Sequence, residues 1–308
     1  MVEPRTRIGS CFPAVRVDVC DHFAATRADA AAGAIVKRTT ASIWVNSALI
    51  AGAIFTAFPL VWMLSVSFMP TGAASHSPPP LLPQHPTLEH YRSMFASYQA
   101  GRYMMNSAVI AASATGLSLI FNTMAGYAFA KLRFAGRDKI FRGLLGALVI
   151  PGQVAMIPLF ALVKELGLIS TYGGVIVPSM ASVFGIFLIR QYALSIPDDL
   201  LEAARIDGAS EGKIFWSIVV PLLKPILVTL AILTFLATWN DFMWPLIVLT
   251  EQKLQTLPVA LAGLSREHVQ DNELMMAGAV LTVIPVLALF LLLQRYYIAG
   301  ILAGSVKG

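Results

Sequence analysis

The ionisable residues that could act together lie in one polar segment, 196–221, between two long apolar runs. Proline is favoured at the first turn of a helix and acidic side chains interact well with its positive end, so Pro197 and Asp198 predict a helix start. The position after a helix C-terminus often has the left-handed backbone conformation, which Gly208 can adopt easily. Ser210 is a favoured residue type for the N-cap of a second helix. The segment therefore predicts two short helices joined at a glycine hinge.

The sequence lacks the motifs that catalysis would need. Its nearest approach to a phosphate-binding P-loop is Gly212-Lys213, but Ile214 replaces the required Ser or Thr and Asp207 replaces the first glycine. Neither a G-x-S-x-G nor an H-E-x-x-H motif occurs, and no paired carboxylates lie within an apolar run. The sequence predicts a non-catalytic chain that binds no cofactor.

A metal site is also not expected. Cys11, Cys20 and His22 could contribute ligands, but no fourth ligand is evident near them. The cysteines suggest no disulfide framework either.

A few polar residues interrupt the apolar runs. Ionisable side chains in membrane spans are costly and are functional candidates, so Asn122, Trp239, Asn240 and Asp241 are candidates for lining a translocation path. A second interpretation places Asp241 at the water interface, beside Trp239 and Trp244 in an aromatic belt. For Asn122, the alternative is a hydrogen bond between helices.

The composition is that of a membrane protein. Hydrophobic residues make up 57% of the chain and charged residues only 13%, whereas soluble domains average about 25% charged residues. The formal net charge of +5 comes from basic residues in short segments beside the apolar runs, so it does not indicate a nucleic-acid partner. We expect an all-α protein embedded in a lipid bilayer.

Six apolar runs have the length that a helix needs to cross a membrane. They lie at about 43–68, 104–130, 142–163, 172–193, 222–248 and 276–294. The first is too long for a signal-peptide core. In the third, Pro151 and Pro158 predict kinks. Residues 1–40 are predicted to be a disordered cytoplasmic extension, and 41–308 the membrane domain.

Lysine and arginine near the ends of the runs predict the orientation. They are more numerous in the N-terminal tail, the 131–142 cluster, the 196–221 segment and the C-terminal tail than in the alternate connections. Because cytoplasmic loops of membrane proteins are enriched in these residues, both termini and the polar segment are predicted to be cytoplasmic.

The polar segment also resembles a known motif. Glu202-Ala203-Ala204, then Gly208, then Ile218 and Pro221 resemble the "EAA" motif of membrane subunits of binding-protein-dependent ABC importers, with Val220 in place of the motif's leucine. The resemblance implies a type-1 importer transmembrane fold in which 196–221 forms coupling helices that dock on an ATPase subunit. The coupling residues that it implies are Glu202, Ala203, Ala204, Asp207, Gly208 and Pro221.

The resemblance covers about 41–308, with a core domain at about 102–295. The segments 125–134, 150–158, 185–190 and 238–246 are similar to the sugar-importing branch of the family. The tail, 295–308, resembles that of the smaller membrane subunit of the maltose importer, which contacts the ATPase subunits. This resemblance implies the same role for Gly304, Val306, Lys307 and Gly308, and contact of loop 251–274 with the external binding protein.

Several partners follow from this resemblance. They are a second membrane permease subunit, two ATPase subunits that bind ATP and Mg²⁺, an external solute-binding protein, and a sugar, such as maltose or another di- or oligosaccharide. Glycerol phosphate or another small polar solute is an alternative cargo. An ion-coupled secondary transporter is a second functional class, but it would need buried proton relays or internal repeats. A membrane enzyme would need a nucleophile and base that the sequence does not offer.

Overall fold

The computed structural model describes residues 44–267 and 271–305, and this part of the chain contains helices and no β-strand. The helices are α1 (Trp44–Val66), α2 (Glu89–Ala96), α3 (Ala100–Lys131), α4 (Arg137–Ala147), α5 (Gly152–Glu165), α6 (Tyr172–Ser179), α7 (Val183–Ala193), α8 (Asp198–Ile206), α9 (Glu211–Ile214), α10 (Val220–Leu222), α11 (Lys224–Trp239), α12 (Met243–Val248), α13 (Leu257–Glu267) and α14 (Asn272–Ser305). A π-helical turn, Phe215–Val219, joins α9 to α10.

The chain divides into two units, Met1–Trp62 and Met63–Gly308. Only the helical residues 44–62 of the first unit are described, and their large apolar side chains from Trp44 to Val61 are exposed. Exposed apolar side chains along a helix of this length are typical of contact with lipid. The predicted first span, 43–68, therefore corresponds to helix α1.

Helix α3 is the centre of the second unit. It packs along α7 and α11, and α11 in turn packs against α14. Small buried residues on α3, including Ala111, Ala114 and Gly126, allow this close packing. A Cβ atom built on Gly126 would lie only 2.6 Å from Cγ2 of Ile189, so the backbones of α3 and α7 approach closely there.

Among the described residues, four helical segments, including 172–193 counted as one, are long and apolar enough to cross a membrane. Two bent helix pairs raise the number to as many as six. The third predicted span, 142–163, is one of these pairs, because α4 and α5 meet at an angle of 106°. Pro151, which precedes the first residue of α5, marks the break, whereas Pro158 lies inside α5 without ending it. The run is therefore broken rather than kinked.

The fifth predicted span, 222–248, also differs from a single helix. Helix α11 ends at Trp239, and α12 is a separate short helix. The segment 211–222 meets α11 at an angle of 77°. The apolar composition of the run could not reveal these two breaks.

Some predictions lie outside the described residues. These are the disordered extension at 1–40, the candidate metal ligands Cys11, Cys20 and His22, and the tail residues Val306, Lys307 and Gly308. Gly304 belongs to α14.

Candidate functional site

The polar segment 196–221 folds as its local sequence signals predict. Pro197 directly precedes α8, and Gly208 adopts the left-handed conformation at a φ of +81°. The hydroxyl of Ser210 accepts a hydrogen bond from the Lys213 amide at 3.4 Å, capping α9. Two short helices joined at a glycine are therefore present.

One face of this segment packs into the protein. Leu201 is only 1% exposed and is the one buried side chain of α8. It belongs to an apolar cluster that includes Ile189 of α7, Ile214 of α9 and Tyr127 of α3. The hydrophobic contact therefore attaches α8 to the helices on both sides of it in the chain.

The opposite face of α8 is open. Glu202 is exposed, and its carboxylate makes no hydrogen bond or ion pair with the described residues. One turn later, the apolar side chain of Ile206 is 87% exposed. Ala203, between them, is also exposed. This face combines a carboxylate, a small residue and a protruding apolar side chain.

Lys131, the last residue of α3, holds the start of α8. Its ammonium group donates hydrogen bonds to the carboxylate of Asp198 at 2.7 Å and to the carbonyl of Ile196 at 2.6 Å. The lysine side chain is only 5% exposed, whereas Asp198 is exposed. Its hydrogen bond and positive charge lower the pKa of Asp198 below the usual value. We call this group the Lys131 clamp.

A second set of bonds joins the two short helices to each other. Arg205, near the end of α8, donates a hydrogen bond to Glu211 of α9 at 2.6 Å. The hydroxyl of Tyr127 on α3 donates to the same carboxylate at 3.3 Å. Sequence analysis did not single out Tyr127, Lys131, Arg205 or Glu211 as members of the site. The partners of Tyr127 and Lys131 are distant in the chain, whereas Arg205 and Glu211 are only six positions apart.

The four candidate residues for a translocation path occupy different environments. Trp239 is 2% exposed, and its indole N–H donates to the carbonyl of Thr282 on α14 at 3.1 Å. Asn240 is exposed and donates to the carbonyl of Leu236 on its own helix. Trp239 is therefore part of the packing between α11 and α14.

Asn122 lies between helices and is fully buried. Its amide donates to the hydroxyl of Ser118 at 2.6 Å, and its side-chain oxygen accepts from the backbone N–H of Ser182 at 3.0 Å. Ser182 caps α7 at the break between α6 and α7. Asn122 thus makes the interhelical hydrogen bond that sequence analysis offered as the alternative to substrate contact.

Asp241 lines a cleft of about 340 Å³ between α3, the α6–α7 break and α11. The polar residues of this cleft are Ser118, Ser179, Ser182, Thr234, Thr238 and Asp241. The two threonines precede Asp241 by seven and three positions, so the three residues share one face of the chain as it leaves α11. This periodicity was present in the sequence but was not used to predict the cleft. We call it the hydroxyl cleft.

The segment 251–274, which was expected to contact a binding protein, is helical over much of its described part. It contains a 3₁₀ turn at Gln252–Leu254 and helix α13. Asn106 of α3 donates hydrogen bonds to the carbonyls of Lys253 at 2.9 Å and Gln255 at 2.8 Å. Within residues 44–267 and 271–305, no group of three His, Cys, Asp or Glu side chains could hold a metal ion.

A family profile described as "Binding-protein-dependent transport system inner membrane component" matches residues 122–302. The chain belongs to this family. The permease, as we call it from here, is therefore a multi-pass membrane protein with a role in transport. The matched region contains the Lys131 clamp, the segment 196–221 and, apart from Ser118, the polar residues of the hydroxyl cleft.

Relatives share most of the permease's length. It is similar to the arabinooligosaccharides transport system permease protein AraQ of Halalkalibacterium halodurans, with 40% identity over 281 residues, 89% of the permease and 100% of the relative. It is also similar to the melibiose/raffinose/stachyose import permease protein MelC of Bacillus subtilis, with 34% identity over 269 residues, 86% and 96% of the two chains.

A solved structure has the same fold. It is the crystal structure of a bacterial ABC transporter involved in the import of the acidic polysaccharide alginate. The similarity has a TM-score of 0.74 at 25% sequence identity and covers 82% of the permease and 95% of the other chain. The helical arrangement of the permease is thus that of an ABC importer subunit.

Proposed function

We propose that the permease forms half of the translocation path of an ATP-driven sugar importer and is coupled to ATP hydrolysis through α8 and α9. Its partners in this proposal are a second membrane permease subunit, two ATPase subunits that carry ATP and Mg²⁺, and an external solute-binding protein. The permease itself is not an enzyme and binds no cofactor. We place it in the bacterial inner membrane, with six spans and cytoplasmic termini.

The observation that supports coupling most directly is the two-sided construction of the segment 196–221. Leu201 and the Lys131 clamp attach its inner face to α3 and α7. Its outer face leaves Glu202 and Ile206 free to contact a partner. A segment that transmits a movement needs both a firm attachment to the spans and an accessible surface, and this segment has both.

The mechanism that we propose is mechanical. Two ATPase subunits close when they bind ATP, and each moves the coupling helices that it holds. Since α8 is attached to α3 and α7 by polar and apolar contacts, its movement would carry these spans between inward-open and outward-open arrangements. Coupling of this kind requires an element that has two arrangements. The nucleotide and the substrate must each favour one of these arrangements over the other.

We propose a di- or oligosaccharide as the cargo. This proposal is supported by the sugars named for the two relatives, arabinooligosaccharides and melibiose, raffinose or stachyose. Maltose and glycerol phosphate remain alternative cargoes to be assayed beside them. By resemblance, we also propose that the segment 251–274 contacts the solute-binding protein and that Gly304, Val306, Lys307 and Gly308 contact the ATPase subunits.

The experiment is purification of the tagged permease from its native membranes, followed by mass spectrometry and ATPase assays with candidate sugars. We expect recovery of an ATPase subunit and a second permease subunit, and sugar-dependent stimulation of ATP hydrolysis. Recovery of a homo-oligomer alone, with uptake driven by an ion gradient, would instead indicate a secondary transporter.

A charge reversal on the open face tests the coupling itself. Glu202→Lys should leave the permease inserted but abolish stimulated ATP hydrolysis and uptake, because it inverts the charge presented to the ATPase. Glu165→Lys is the matched control, since Glu165 is also exposed but lies at the end of α5, outside the segment 196–221. Normal stimulation of the Glu202→Lys complex would refute the coupling role.

A further inference from the structure

The hydroxyl cleft contains two hydroxyl groups, those of Thr234 and Thr238, that the described part of the protein does not use for its own packing. Three membrane threonines, Thr123, Thr229 and Thr282, bond to a carbonyl four residues earlier in their own helices. This is the usual way for a threonine hydroxyl to be satisfied in an apolar environment. The side-chain hydroxyls of Thr234 and Thr238, by contrast, have no hydrogen-bond partner among the described residues although both residues line the cleft.

The depth of the cleft suits a site within the bilayer. Helices rise about 1.5 Å per residue, so Thr234 lies about 15 Å along α11 from Lys224. The apolar core of a bilayer is about 30 Å thick. The distance from Lys224 to Thr234 is therefore about half the thickness of that apolar core.

The opposite wall of the cleft adds further hydroxyl groups on a rigid support. Ser118 accepts the hydrogen bond of Asn122, and the Ser182 hydroxyl accepts from the Gly185 amide at 2.9 Å. Each of these hydroxyls still has capacity for a further hydrogen bond, because a hydroxyl can donate one and accept two. The bonds to Asn122 and to the Gly185 amide therefore hold Ser118 and Ser182 in place, and both hydroxyls can still form a hydrogen bond with a ligand.

The chemistry of the lining indicates the class of ligand. Hydroxyl groups and one carboxylate line the cleft, and the lining contains no lysine, arginine or histidine to attract an anion. Phe184, Leu230 and Leu233 supply apolar faces beside the polar groups. A neutral sugar offers both hydroxyls and apolar C–H faces. The volume of about 340 Å³ falls at the lower end of the range of about 300–1,000 Å³ for small-molecule sites.

We propose that the hydroxyl cleft is a sugar-binding subsite of this subunit, in which Thr234, Thr238 and Asp241 bind the hydroxyls of a neutral oligosaccharide as it crosses the membrane. This inference rests on the function proposed above. It assigns part of the sugar selectivity to this chain rather than to the external binding protein alone.

Removal of the two hydroxyls tests the subsite. The double variant Thr234→Val/Thr238→Val keeps the side-chain shape, and the serine pair Thr234→Ser/Thr238→Ser keeps the hydroxyls. Thr229→Val is the matched control, because its hydroxyl bonds within α11 and does not line the cleft. Each complex, with its binding protein and ATPase subunits, is reconstituted in vesicles and assayed for uptake of arabinotriose and raffinose.

We expect the valine pair to lower uptake of the transported sugar roughly tenfold, from two lost hydrogen bonds, with complex assembly retained. Thr229→Val should transport at nearly the wild-type rate, and the serine pair should retain more uptake than the valine pair because it keeps both hydroxyls. Wild-type uptake by the valine pair would overturn the subsite alone, and so would equal losses in the valine and serine pairs, which would indicate a role in shape. A wild-type complex that neither assembles with an ATPase nor moves any sugar would overturn the proposed function and the subsite together.

Discussion

Gly126 allows a sharp test of the packing between α3 and α7. A Cβ atom at this position would lie 2.6 Å from Cγ2 and 2.7 Å from Cβ of Ile189, and 3.0 Å from the backbone nitrogen of Arg190. Ile189 is fully buried, and its Cβ is bonded to the backbone, so a rotamer change cannot remove this clash. Gly126→Ala should therefore force α3 and α7 apart.

The size of the effect follows from comparison with a second glycine on the same helix. Extra methyl groups in a tightly packed interior cost about 1–3 kcal/mol. Alanine also favours the helix over glycine by about 1 kcal/mol, which offsets part of this cost. A Cβ on Gly116 would meet no atom within 4 Å, so Gly116→Ala gains the helix preference without the clash. The difference between the two variants isolates the clash, at about 1–3 kcal/mol.

Thermal unfolding of the detergent-purified permease measures this difference. For a domain of this size, 1 kcal/mol corresponds to about 2–4 °C in Tm, so Gly126→Ala should melt about 2–12 °C below Gly116→Ala. If Gly126→Ala melts at the temperature of Gly116→Ala or above it, the close approach of α3 and α7 is refuted.

Three further predictions concern the segment that joins the spans to the ATPase in our proposal. Lys131→Met should reduce transport without preventing insertion, because it opens the Lys131 clamp; the exposed Lys139→Met is the control, and equal transport by both would contradict the role of the clamp. Since Lys131 lowers the pKa of Asp198 below its usual value of about 3.9, their bond stabilises the fold above that value and is lost as the pH falls through the lowered pKa. The protection of α8 against hydrogen exchange, corrected for the intrinsic exchange rate at each pH, should accordingly fall on such acidification in the wild type but not in Lys131→Met. A similar fall in both would argue against the pair. At Gly208, asparagine should preserve stimulated ATP hydrolysis better than valine, because asparagine tolerates a φ of +81° and a β-branched residue does not; indistinguishable activities would show that the backbone conformation is not critical.

The two short helices of the segment 196–221 were predictable because their signals are local. The left-handed glycine at 208 and the serine cap at 210 act on the nearest few residues, and the structure contains both. The contacts that hold the segment were not predictable in this way. Lys131 and Asp198 are 67 positions apart, and Tyr127 and Glu211 are 84 positions apart. Such pairs depend on how the helices pack.

The breaks in the apolar runs show a similar limit. Pro151 indicated an interruption of the run 142–163, but a proline does not determine the angle of 106° between α4 and α5, which depends on the surrounding helices. In the hydroxyl cleft, the periodicity of Thr234, Thr238 and Asp241 was visible in the sequence. Threonines in membrane helices commonly bond to their own backbone, so only the structure distinguishes these two hydroxyls from those of Thr123, Thr229 and Thr282.

The hydrogen bond between Asn122 and the Ser182 amide also implies an order of events during biosynthesis. An amide left without a partner at a helix break costs several kcal/mol in lipid, so the segment 172–193 is not stable there alone. Its acceptor lies 60 residues earlier in the chain and leaves the ribosome first. Helix α3 can therefore enter the membrane before the break between α6 and α7 is synthesised. The Asn122 side chain is then already present to accept the hydrogen bond of the Ser182 amide. A circularly permuted chain in which α6 and α7 precede α3 would present the open break to lipid and to membrane proteases until α3 was made.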